Sequence, residues 1–109
     1  MDPRLPRLAV LADLVEGRET ARLVRVVAEA RGIEAQIEAL RGNVAPAAPE
    51  GFTLGGHDAL WERWRMGEIA RLNRALADLR LQLDEARRAA ALATARSQVL
   101  SRLAGRGRP

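Results

Sequence analysis

Cysteine, lysine and tyrosine are absent from this 109-residue chain, and histidine occurs once. Without cysteine there is no disulfide, no thiolate metal site and no cysteine nucleophile. Aromatics are scarce. Phe52, Trp61 and Trp64 make up 3% of the residues, too few for the thick core that large rings usually dominate. No apolar run nears the roughly 20 residues that span a bilayer. Residues Met1 to Arg7 lack the basic start, apolar stretch and small-residue cleavage site of a secretory leader. The expected location is the cytoplasm.

What is present is 48% apolar residues, mostly Ala, Leu and Val. That mixture suits a thin helix-helix seam better than a globular core. All 18 basic residues are Arg. Asp84 and Glu85 are the last acids, and Arg87, Arg88, Arg96, Arg102, Arg106 and Arg108 follow them unopposed.

Pro3 and Pro6 open the chain, and no further proline appears before Pro46; proline is tolerated only in a helix's first turn. Leu23, Val26, Ala30, Ile33, Ile37, Leu40 and Val44 then recur at alternating steps of 3 and 4, the 3.5-residue repeat of a left-handed coiled coil. Leu8, Leu11 and Val15 form an earlier apolar stripe. Joining it to the later one requires two steps of four, across Val15, Glu19 and Leu23, a stutter that locally unwinds a supercoil. Gly42 and Asn43, with Pro46 and Pro49 beyond, are a helix stop.

The second helix is expected to open on Asp58 as N-cap. From Ile69 the steps 3 and 4 alternate without a break through Leu72, Leu76, Leu79, Leu83, Ala86, Ala90, Ala93, Ser97 and Leu100. The expected fold is all-α, a long antiparallel two-helix coiled-coil hairpin forming one domain over residues 1–109. Helix 1 covers about 5–42, a loop about 43–57, helix 2 about 58–103, and a basic tail 104–109. At 1.5 Å per residue the helices would be roughly 55 and 70 Å long. Neither buries its stripe alone, so each is expected to cover the other. The alanine-rich end, burying little area per residue, is expected to fray first.

Chemistry-bearing patterns are few. His57 stands without partners, Gly55-Gly56 carries no phosphate-loop lysine, and several carboxylates off the stripes, Glu34 with Arg31 and Glu38 with Arg41 among them, have arginines three or four residues away, the spacing of surface pairing. A two-helix hairpin offers no concave pocket. No enzyme activity, cofactor, metal or small-molecule substrate is expected. Trp61 and Trp64 read either as a plug at the loop end or as an interface anchor. Leu81, Leu92 and Leu103, eleven residues apart and off the main stripe, read either as leucines covered by arginine stems or as a partner-binding row. Arg96 and Arg102 belong to the basic end, which serves solubility, an acidic protein surface or phosphate groups.

The run Leu72-Asn73-Arg74-Ala75-Leu76-Ala77-Asp78-Leu79-Arg80-Leu81-Gln82-Leu83, with Trp61 and Trp64 upstream, resembles a motif of the FliJ/YscO family of flagellar and type III export proteins. Leu8, Leu11 and Leu14 are similar, more loosely, to that family's first helix. The resemblance implies a cytoplasmic stalk, peripheral to the inner-membrane export apparatus. Its paired terminal ends would enter the export ATPase ring and regulate it. Its second helix would touch the export gate at positions matching Leu72, Ala75 and Leu79; where the family has an aromatic, Glu68 stands here. Two other readings stay open: an unrelated adaptor coiled coil, and an arginine-rich binder of nucleic acid or anionic surfaces.

Overall fold

The structure, a computed structural model, describes residues 2–42 and 55–106. It is all-α, an antiparallel helical hairpin of two helices, α1 (Leu5–Gly42) and α2 (Gly55–Ser101). A π-helical turn, Arg102–Arg106, follows α2 and closes on Gly105 at φ 96°, a left-handed helix end that glycine adopts without strain. Helix α1 has the expected bounds, while α2 begins at Gly55 rather than Asp58. Asp58 is therefore not the N-cap. It lies in the first turn, where a carboxylate still complements the helix dipole. Most of the expected loop, with Val44 and Phe52, falls outside the described residues. No helix is long and apolar enough to cross a membrane among the described residues.

The chain packs as two units, residues 29–80 and residues 1–28 with 81–109. In the first of these, Ala30 and Ile37 of α1 are buried, with Ile33 and Leu40 half-buried between them. From α2, Leu72, Leu76 and Leu79 are buried and Ile69 half-buried. These are the aliphatics that the 3.5-residue repeat places on one face, and they form a true two-sided seam. Arg65 marks the pairing near the end of α1. Its Nη1 donates to the carbonyl of Leu40 at 3.0 Å, while Glu62 holds the same guanidinium through Nη2 at 2.7 Å. The Leu40 carbonyl is one of the last four of α1, which have no partner within the helix. Arg65→Met should lower the midpoint of a denaturant melt, and Glu62→Gln clearly less. Equal effects would make the ion pair, rather than the cap, the stabilising element.

The other unit departs from expectation. Its buried stripe on α1 is Leu5, Ala9, Ala12, Glu16, Glu19, Leu23 and Val26, with Ala9 and Val26 fully buried and the rest half-buried. Those positions step 4, 3, 4, 3, 4 and 3, so the repeat is unbroken and the stutter is absent. Leu8, Leu11 and Val15 lie outside the seam and are exposed. The reason is on the facing helix, where Ala86, Ala90, Ala93 and Ser97 are all buried. Alanines take up little room, so this row accommodates the longer Glu16, Glu19 and Leu23 that the antiparallel register sets opposite it, while Asp13 meets Ser97 and Arg22 meets Glu85 across the pair.

This register puts two carboxylates on the seam. Glu19, with a side chain 17% exposed, is flanked by Arg18 at 3.3 Å and Arg22 at 3.9 Å, and Arg22 also reaches Glu85 of α2 at 3.7 Å. Ser97 donates its hydroxyl hydrogen to the Asp13 carboxylate across the pair. A buried polar group that must find one partner fixes register where interchangeable alanines do not. Among the surface pairs foreseen by spacing, Glu38 meets Arg41 at 3.5 Å, whereas Arg31 and Glu34 form no ion pair.

Candidate docking groove

The unit built from residues 1–28 and 81–109 carries an apolar groove. Leu8, Leu11, Ala12 and Val15 of α1 form one wall, and Ala93, Arg96, Val99 and Leu100 of α2 the other. The hollow holds about 450 Å³ and is open to solvent. On α1 the wall steps 3 and 4, one flank of the helix. On α2, Leu92, Arg96 and Val99 step 4 and 3 beside the seam, and Leu103 follows in the π-helical turn. Leu11 is 56% and Leu103 57% exposed. An exposed apolar strip of this kind is a candidate interaction surface. The expectation that a hairpin has no concavity fails here.

Arginine surrounds this end. Arg96 stands in the α2 wall, and Arg7 borders a shallow apolar hollow with Pro6, Val10 and Leu11. Asp2 is engaged by Arg4, whose backbone N–H and guanidinium both donate to it. The backbone donor, ahead of the side chain, holds the Asp2 carboxyl below the usual range. Asp13 is taken by Ser97. Among the described residues, Arg7, Arg96 and Arg102 have no carboxylate partner.

The residues singled out from sequence divide between the units. Arg96 lines the groove, Leu92 is exposed on α2, and Arg102 and Leu103 are exposed in the turn that follows it. Leu81 is exposed further along α2. In the unit of residues 29–80, Leu72 and Leu79 are buried and Ala75 half-buried against α1, so the three positions tied to the export gate face the helix pair. Trp61 is half-buried, and Trp64, 51% exposed, stacks on it with ring centroids 5.1 Å apart. The Trp61 Nε1 is shielded from solvent and meets no acceptor among the described residues. Trp61 thus packs inward and Trp64 outward. Beside them Arg71 donates to Glu68 at 2.7 Å and holds that carboxyl below its ordinary range.

Of the residues that line the groove, sequence reasoning marked only Arg96 as a site; Leu8, Leu11, Val15 and Val99 are among those it missed. The signal available was the α2 stripe of Ala, Ala, Ala, Ser from 86 to 97, small enough to admit the long Glu16, Glu19 and Leu23 opposite. A second hollow, in the unit of residues 29–80, is lined by Glu34, Glu38, Arg41 and Arg80 around Ile37 and Leu76, a charge-balanced surface. No cluster of three metal-ligating side chains occurs among the described residues. The chain matches no protein-family model, no curated protein and no solved structure.

Proposed function

We propose that the hairpin is a non-catalytic docking protein of the export-stalk kind, one that engages an export ATPase through its terminal end and regulates it. The observation that carries this reading is the place of the groove. It is built from the first turns of α1 and the last turns of α2, the segments that the FliJ/YscO resemblance assigns to the ATPase ring. Exposed leucines and valines at that end supply apolar area for binding, and the surrounding arginines supply steering toward an acidic surface. The exposed Trp64 adds a second surface, suited to the gate contact that the buried Leu72 and Leu79 do not offer.

The test is ATP hydrolysis by the export ATPase of the same organism, with and without the purified chain. The expected result is co-purification and faster turnover, both lost in Leu11→Asp and Val99→Asp and both kept in Leu81→Asp. An ATPase that neither binds nor responds overturns the stalk reading. An adaptor coiled coil is then favoured by the same groove, since any helical partner would bury it.

A further inference from the structure

The groove has the dimensions and charge of a seat for one more helix. Its α1 wall, Leu8 to Val15, and its α2 wall, Ala93 to Leu100, each run about 10 Å at 1.5 Å per residue. Two turns of helix cover that length. The floor contributes Ala12 and Ala93, which leave room for the knobs of an incoming helix, and the rims contribute branched aliphatics for it to pack against. We infer that the groove receives an amphipathic α-helix of a partner protein, with apolar residues at i, i+3 or i+4, and i+7 and with carboxylates on its flanks, completing a local three-helix bundle.

Charge selects this occupant over a second copy of the chain. Arg96 stands midway along the α2 wall, between Leu92 and Val99 and within the apolar strip, so an occupant must place a group beside its guanidinium. Arg7 borders the shallow hollow that shares Leu11 with the groove, and Arg102 opens the turn that follows α2. None of the three has a carboxylate partner among the described residues, and the nearby Asp2 and Asp13 are already engaged. A two-fold pairing of two copies would bring this arginine set against itself, whereas a helix with acidic flanks neutralises it and gains charge-assisted hydrogen bonds.

This rests on the groove being the docking end, as proposed above, and adds the chemistry of what docks. The probes are synthetic helical peptides of about 18 residues, one with leucines at the stated spacing and glutamates on the flanks, one with lysines in place of the glutamates. Calorimetric titration of the full chain at about 50 mM salt should show the glutamate peptide binding at least about tenfold more tightly than the lysine peptide. Leu11→Gln and Val99→Gln should abolish binding with the helical circular dichroism unchanged, because both side chains already face water. Arg96→Ala should weaken the glutamate peptide and leave the lysine peptide unaffected. Equal binding of the two peptides, no binding of either, or retention of binding by Leu11→Gln would each overturn the inference. So would sedimentation showing a stable dimer that Leu11→Gln dissociates. If the groove variants abolish ATPase engagement while no peptide binds, the acidic helix is wrong and the export reading stands. If the peptide binds as stated and the ATPase does not respond, the reverse holds.

Discussion

Leu79→Asp unfolds the unit of residues 29–80, and Leu81→Asp, two residues along the same helix, leaves the melt within about 0.5 kcal/mol of the parent. Leu79 is 8% exposed, and Leu81 is 68% exposed. Truncating a buried leucine costs about 2 to 5 kcal/mol through lost burial and the hole left behind. The aspartate adds the desolvation of an unpaired carboxylate, about 1 to 3 kcal/mol more. Whole domains of this size are stable by only roughly 5 to 15 kcal/mol, and a single helix-helix seam belongs at the low end. The loss therefore consumes most of the folding free energy. At Leu81 the leucine already meets water, so the substitution removes little. Matched thermal melts by circular dichroism decide the matter, and two similar melting points would mean that this face of α2 is not the pairing face.

Replacing Gly17, Gly32 and Gly67 together by alanine raises stability by roughly 2 to 3 kcal/mol. All three lie inside helices, and a methyl group added at any of them meets nothing within 4 Å. Interior glycine costs about 0.5 to 1 kcal/mol relative to alanine, because the unfolded chain surrenders more backbone freedom on ordering. The added methyl groups touch nothing that they could share, so their effects should add. The melting midpoint should rise by roughly 10 °C or more. A midpoint that stays put would show that these segments are not helical in the free protein. Because none of the three touches the groove, peptide binding should be unchanged in the same variant.

These two results bear on how far the sequence specifies the molecule. The second helix was legible residue by residue. Ile69 through Leu100 alternate steps of 3 and 4, and every one of them is buried or half-buried. Large aliphatics at that spacing have only one face to share, so periodicity alone sets which side pairs. The first helix was legible only where its stripe is also large, from Leu23 to Leu40. Towards its start two adjacent stripes compete, Leu8-Leu11-Val15 and Leu5-Ala9-Ala12-Glu16, and hydrophobicity favours the one that the structure leaves outside. The docking site shared that ambiguity. Leu92, Arg96 and Leu103 stood out as residues off the seam, but their companions on α1 had been assigned to it.

By itself the sequence determined two helices, their bounds to within a few residues, their antiparallel partnership and the pairing face of α2, because each follows from local propensity and from one repeat. Only the tertiary structure decided which face of α1 turns inward near its start. That choice depends on what each α1 side chain meets across the pair, Asp13 with Ser97, Arg22 with Glu85 and the long Glu16, Glu19 and Leu23 opposite a row of alanines, a property of the pair that neither helix carries alone. With that face turned inward, Leu8, Leu11 and Val15 lie at the surface, and so the groove exists.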